Sequence, residues 1–361
     1  MALHTPLYDA HLAAGGKMVE FAGWSLPIHY GSQMEEHHAV RRAAGMFDVS
    51  HMTVVDLHGA GAGDFLARLL ANDIARLKEP GQALYGCMLN PQGGVIDDLI
   101  TYFIDQGFYR TVVNAATREV DLAWINEQAE GFDVRIIERD DLAMVAVQGP
   151  EARDRVIELL NAPAAADLKP FRAMSHGDLF IARTGYTGED GFEVLLPAAS
   201  AKAFWTGLIE AGVQPCGLGA RDSLRLEAGL NLYGQDMDTS TTPLESNLAW
   251  TVAFDPQDRD FIGRAALQAQ RETGVERQLV GLVLGRGGIP RSGTEVMTPA
   301  GKGVVTSGCF GPTMACPVAL ARIPTGEFDT VEVVLRGRTL EARVVKPPFV
   351  RAGRIRVQGA G

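Results

Sequence analysis

The residues of this chain with the most chemical potential are polar side chains set among turns and strand ends. Asp97 and Asp98 follow Gly93-Gly94, and Asn114 closes a β-rich run. Tyr186 and Glu193 flank the turn-rich GYTGEDG at 185–191, and Arg221 sits in GLGARD. A carboxylate in such a place accepts paired donors or stabilises developing positive charge, an arginine donates to an anion or carbonyl, and a tyrosine offers a flat apolar face. Spacing alone leaves each a duller role as well. The aspartates read equally as edge-strand charges, Glu193 as a solvent-facing strand residue and Arg221 as a surface residue at a helix start. Other chemistries fit worse. Gly59, Gly61 and Gly63 in HGAGAGD form GxGxG, without the GxGxxG spacing or a P-loop lysine, so the segment reads as a turn before a helix. Glu36-His37-His38 lacks HExxH and reads as a solvated helix face. Cys309 and Cys316 have no accompanying histidine to make a zinc site, and no GxSxG is present. From residue types alone the reading stops at a polar binding cleft.

Composition narrows the partners. Lys and Arg number 33 against 44 Asp and Glu, a net charge of −11 that repels phosphate backbones and anionic headgroups. Nucleic acid and membrane surfaces are therefore not expected partners, and an anionic ligand would need locally placed arginines. At 361 residues, 46% hydrophobic and 21% charged, the chain fits a globular protein of two or three domains. Four scattered cysteines without CxxC predict free thiols in a reducing compartment. The start MALHTPLYDA has no leader pattern and no long apolar run follows, so a cytoplasmic protein that does not span a membrane is expected.

The elements that must position these residues follow from local patterns. Ser32 and Glu35 have capping-box spacing for a helix over 33–44, with Gly45 as its C-terminal cap. A strand over 53–57 leads through the glycine turn to a helix over 65–71. Runs 95–104 and 109–114 around DQGF predict an antiparallel hairpin. A helix over 118–129, strands over 142–147, 179–183 and 192–196, and helices over 199–211 and 220–229 follow. From about residue 277, short valine-rich runs between Gly and Pro turns predict a small all-β domain. The strands are not regularly separated by helices, so the class is α+β rather than a doubly wound sheet.

Several stretches together resemble the folate-binding aminomethyltransferase family, the T-proteins of the glycine cleavage system. They are TPLYDAHLAAGGKMVEFAGWSLPIHY at 5–30, GMFDVSHM at 45–52, GGVIDDLITY at 93–102, VVNAATREVDLAWI at 112–125, RTGYTGEDGFEV at 183–194, GLGARDSLRLEAGLNLYGQDMD at 217–238 and TSGCFGPT at 306–313. A related iron–sulfur assembly factor carries a KGC-type cysteine motif where this chain reads NLYGQDMD, which favours the transferase. A tetrahydrofolate-dependent demethylase, or a folate-binding protein without turnover, is the alternative.

The resemblance implies a three-domain cloverleaf around a central folate cleft, with a discontinuous first domain over 1–52 and 139–245, a second over 53–138 and an all-β third over 246–361. It implies transfer of a one-carbon unit from the aminomethyl-lipoyl arm of a carrier protein, the H-protein, to tetrahydrofolate, without a metal. Asp98 matches the catalytic aspartate and Glu193 the pterin-binding glutamate. Tyr85, Asn114, Tyr186, Arg221 and Tyr233 fall at folate-pocket positions. Arg351, or else Arg354 or Arg356, would meet the glutamyl tail. On a strand, Asp98, Ile100 and Tyr102 share one face and Asp97, Leu99 and Thr101 the other, so only one of the two aspartates can address the folate.

Overall fold

A computed structural model describes residues 2–285 and 287–357. The chain divides into two compact units, the first comprising 1–66, 74–85 and 99–222 and the second 67–73, 86–98 and 223–361.

The first unit is built on a six-stranded sheet in the order Ala173–His176, Leu179–Ala182, Gly191–Pro197, Leu142–Gln148, Gly45–Asp48, Gln214–Pro215. Strand pairs are antiparallel except the last, where Gln214 and Pro215 run parallel to Gly45 and Met46. Side chains alternate across a strand, and Val145, Val147, Phe192, Val194 and Leu196 join Trp205 and Leu208 of the helix Ala201–Glu210 in one core. Glu193, between Phe192 and Val194, is thereby turned to the opposite face.

Ser32 caps the helix Gln33–Arg42 by accepting from Glu35 N at 3.3 Å, as the spacing predicts. Gly45 is not its cap. The helix ends at Ala43, and Gly45 opens a strand, where a Cβ would stand 2.4 Å from Val40 Cγ2 and 2.7 Å from Cys216 Sγ. The glycine serves close packing rather than a left-handed turn. Glu36 and His37 are buried, so the face carrying them packs against protein, contrary to the solvated face expected. The next predicted helix starts earlier, at Ala62, and takes Gly63 into its first turn.

A second sheet runs Ala83–Leu89, Val95–Asp105, Phe108–Val113, Thr53–His58, Arg135–Glu138. The expected hairpin is present with a shorter turn, because the strands extend to Asp105 and from Phe108. Val95–Asp105 lies between two neighbours and is no edge strand, which removes the edge-charge reading of its aspartates. Asp56 on Thr53–His58 receives Arg110 Nε at 2.7 Å and Arg139 Nη1 at 2.7 Å, tying neighbouring strands by charge.

The second unit holds a closed barrel in the order Arg277–Leu284, Cys316–Pro324, Gly301–Gly311, Glu295–Thr298, Thr330–Leu335, Arg338–Val345, with Arg277–Leu284 pairing back to Arg338–Val345. Leu282, Leu284, Val296, Val305, Ala319, Ala321, Val331 and Val333 fill it. The outward residues Leu279, Val283, Val318 and Leu320 pack on Leu226, Phe349 and Val350. Arg264–Thr273 is a helix that the sequence patterns did not single out. Among the described residues, no helix is long and apolar enough to cross a membrane, and all four cysteines are unbridged.

Candidate functional site

In the first unit a polar cluster gathers behind the sheet. Glu193 is only 7% exposed, and its Oε2 accepts the Thr184 hydroxyl at 2.5 Å. Tyr102 Oη lies 3.1 Å from the same Thr184 Oγ1. Since Thr184 gives its one proton to Glu193, Tyr102 must donate to Thr184, making a short relay ending on the carboxylate. Burial pushes the Glu193 pKa above the usual carboxylate range, against the Thr184 hydrogen bond and the charge of Arg221.

Arg221 belongs to the helix Leu218–Glu227, and its guanidinium carbon stands 4.7 Å from the Tyr186 ring centroid in a cation–π stack. Its Nη1 is buried with no hydrogen-bond partner in the protein. Burial lowers its pKa, and Tyr186 and Glu193 partly restore it. The solvent-facing role for Glu193 is therefore excluded, while Arg221 is half-buried with its Nη1 enclosed. Gln148 fixes the GYTGEDG turn that carries Tyr186, donating from Nε2 to Thr184 O at 3.0 Å and accepting from the Thr187 hydroxyl at 3.0 Å. Arg41 reinforces it by donating to Thr187 O at 2.8 Å.

His51, from the turn after Gly45–Asp48, is electrostatically coupled to Arg221. Burial first and the Arg221 charge second depress its pKa to about 4, against the pull of Asp48, so the ring is neutral at physiological pH. Tyr85, in Ala83–Leu89, and Asn114, just past Phe108–Val113, are half-buried in this same unit. The Asn114 carbonyl accepts Thr117 Oγ1 at 3.1 Å.

Asp98, Tyr233 and Arg351 belong to the second unit. The strand carrying Asp98 starts from a tight turn, in which Asn90 N donates to Gly94 O at 2.9 Å and Gly93 N to Asn90 O at 2.9 Å. A Cβ on Gly94 would lie 1.9 Å from Thr239 O, so only glycine admits this approach. Tyr233 Oη donates to Val95 O at 3.1 Å and so holds the first residue of the strand. Asp97 is 0% exposed whereas Asp98 is half-buried, so of the adjacent pair Asp98 is the one a ligand can reach. Asp98 also lies close enough to Cys87 to help burial raise the thiol pKa. Arg351, Arg354 and Arg356 are exposed at the paired strands Val350–Arg351 and Arg354–Ile355.

The sequence patterns missed Thr184, Tyr102 and His51 as site residues. Tyr102 had a signal in its shared strand face with Asp98, and Thr184 in its place within RTGYTGEDGFEV. A single histidine in GMFDVSHM has no periodicity to set it apart. Among the described residues, no group of three or more His, Cys, Asp and Glu is placed to hold a metal ion.

The family model described as the GCVT N-terminal domain matches residues 7–256, and that of the glycine cleavage T-protein C-terminal barrel domain matches 277–351. The chain belongs to the glycine cleavage T-protein family. Curated relatives named aminomethyltransferase include those of Xanthomonas axonopodis pv. citri (strain 306) and Xanthomonas campestris pv. campestris (strain 8004). Each is 57% identical over 361 residues, covering 98% of both chains. The crystal structure of the glycine cleavage system aminomethyltransferase T from Bartonella henselae superposes with a TM-score of 0.93 at 36% identity, covering 99% of this chain and 100% of that one. The barrel expected from the valine-rich runs is the T-protein C-terminal barrel of this family.

Proposed function

We propose that this chain, an aminomethyltransferase of the glycine cleavage system, moves the one-carbon unit of an S-aminomethyl lipoyl arm, carried by the H-protein, to tetrahydrofolate. The products are 5,10-methylenetetrahydrofolate, ammonia and the dihydrolipoyl arm. Folate N5 displaces sulfur from the methylene carbon, and the sulfur leaves with the bonding pair as the dihydrolipoyl thiolate. Loss of ammonia then gives a cationic iminium that N10 closes, with the protons of N5 and N10 released.

The observation that carries the reading is the cluster of buried Glu193 with half-buried Arg221 and Tyr186, in which the enclosed Arg221 Nη1 has no acceptor within the protein. A carboxylate, a guanidinium donor and an aromatic face suit a flat, amide-bearing ring such as a pterin. Asp98 is proposed as the carboxylate that stabilises the cationic intermediate and its flanking transition states. Tyr85, Asn114 and Tyr233 are assigned to the folate pocket and Arg351 to the glutamyl tail, both on family resemblance. The division into 1–52 with 139–245, 53–138 and 246–361 is the proposed domain plan, and limited proteolysis tests it. Four unbridged cysteines support a cytoplasmic setting.

The decisive assay mixes the enzyme with aminomethyl-loaded carrier and tetrahydrofolate and follows ammonia and methylenetetrahydrofolate together. Equal yields of the two are expected. Methyl transfer without ammonia release from a methylated donor would identify the demethylase instead, and folate binding without either reaction would leave a binding protein.

A further inference from the structure

The turn that delivers His51 is held rigidly. Asp48 Oδ1 accepts Ser50 N at 2.9 Å, Ser50 Oγ both donates to Met144 O at 3.2 Å and accepts Met144 N at 3.0 Å, and Met52 N donates to Val49 O at 3.0 Å. Asp48 is itself fixed by the Thr5 hydroxyl at 2.6 Å and His11 Nε2 at 2.9 Å. The His51 ring stands edge-on to Phe21, with centroids 5.9 Å apart, and the residue is 4% exposed. In this fixed setting its Nδ1 is buried without a hydrogen-bond partner in the protein, as is Nη1 of Arg221, whose charge acts on the same imidazole. Buried polar atoms are mostly paired, so a ligand reaching both His51 Nδ1 and Arg221 Nη1 would satisfy two buried unpaired groups at once.

We propose that His51 is a substrate-binding residue whose Nδ1 and the Nη1 of Arg221 take adjacent groups on one edge of the tetrahydrofolate ring. The proposal rests on the reading of this cluster as the pterin site. Arg221 can only donate, and Glu193 in its ionised form can only accept. A neutral His51 supplies a lone pair, placed on Nδ1 in the proposed tautomer, because a second cation beside Arg221 is disfavoured. The three together offer two acceptors and one donor, and the proposed order along the ring is acceptor, donor, acceptor. Its complement is a ring carbonyl flanked on each side by N–H, which the reduced pterin presents and the fully oxidised ring does not, since the oxidised ring nitrogen beyond the carbonyl has lost its hydrogen. His51 therefore recognises the reduced state of the ring.

Titration calorimetry with tetrahydrofolate and with folic acid, on the full chain and on His51→Leu and His51→Asn, tests this. His51→Leu is expected to raise the tetrahydrofolate Kd about tenfold, the size of one lost buried hydrogen bond, while leaving the folic acid Kd nearly unchanged. His51→Asn, which keeps an amide near the Nδ1 position, should restore tetrahydrofolate binding to within about threefold. If His51→Leu does not fold, His51→Phe carries the same comparison. Unaltered tetrahydrofolate affinity in the apolar variant, or equal loss toward both ligands, overturns the proposal while the pterin-site reading stands. Failure of the unaltered chain to bind tetrahydrofolate overturns both.

Discussion

Arg221 and Arg225 stand about one turn apart on the same helix and are used in opposite ways. Arg225, 2% exposed, is saturated: it donates to Asp236 Oδ2 at 2.8 Å, Leu230 O at 3.2 Å and Ser307 Oγ at 2.9 Å. Asp236 also receives Ser307 Oγ at 2.8 Å and Thr306 Oγ1 at 2.5 Å, so both members of the ion pair are fully engaged with the barrel strand Gly301–Gly311. Arg221 lies over Tyr186 and retains a buried donor without an acceptor. The carboxylates divide in a similar way. Glu36 takes a backbone N–H on each oxygen, from Tyr30 at 2.6 Å and Gly217 at 2.8 Å, whereas Glu193 is met by a hydroxyl relay. Arg225 and Glu36 are saturated by groups that hold the fold, whereas Arg221 and Glu193 keep capacity that the proposed function gives to a ligand.

The largest effect that would break the distinction is on stability. Arg225→Met leaves Asp236 charged and buried, and we predict a loss of about 3–5 kcal/mol in denaturant unfolding, with folate affinity of the folded fraction unchanged. An undiminished unfolding midpoint would mean that saturation does not signal a structural charge.

Next in size is the contrast between the adjacent aspartates. Asp98→Asn should lower the single-turnover rate by about 10²–10³ while leaving the melting temperature nearly intact, as loss of one preorganised electrostatic group does. Asp97→Asn, at a fully enclosed site, should change stability more than rate. A greater rate loss at Asp97 would place the catalytic carboxylate on the wrong face of the strand.

His51 supplies a pH signature. Its folded pKa of about 4 lies below the ordinary value of 6.5, so between these values the unfolded chain binds more protons than the folded one. Its contribution to stability is complete above pH 6.5 and is lost as the pH falls toward 4, at up to about 1.4 kcal/mol per pH unit. Urea unfolding from pH 7 to 4.5 should therefore be flatter for His51→Leu than for the unaltered chain, and parallel curves would show that the imidazole is not held neutral.

The smallest expected effect is at Glu193. Glu193→Gln keeps one acceptor and should raise the tetrahydrofolate Kd about tenfold with turnover at saturation almost unchanged. An unchanged Kd would remove the residue from the ligand.

Much of this arrangement was legible in the residues. Ser32, the hairpin before Asn114 and the valine-rich barrel strands act through local rules of capping, alternation and turns, and the structure has them close to where those rules put them. Gly45 misled because a glycine after a helix commonly caps it, while here it answers to Val40 and Cys216, the latter distant in sequence. The burial of Glu193 and of Arg221 Nη1 was hidden for the same reason: both look like surface charges until tertiary packing encloses them. His51 gave no local sign, since its state depends on Arg221, far along the chain. The helix Arg264–Thr273, with Leu267 as its buried anchor, is amphipathic but was not singled out from its pattern.

We propose that Arg221 is held half-buried, with Nη1 enclosed and unpaired, to receive tetrahydrofolate. Titration calorimetry of Arg221→Met against tetrahydrofolate, run beside thermal unfolding without ligand, tests it most directly. A Kd raised by at least about tenfold is expected, together with a melting temperature equal to or above that of the unaltered chain, because a partly desolvated charge has been exchanged for an apolar side chain. A lowered melting temperature with unchanged affinity would contradict it and make Arg221 a structural arginine like Arg225.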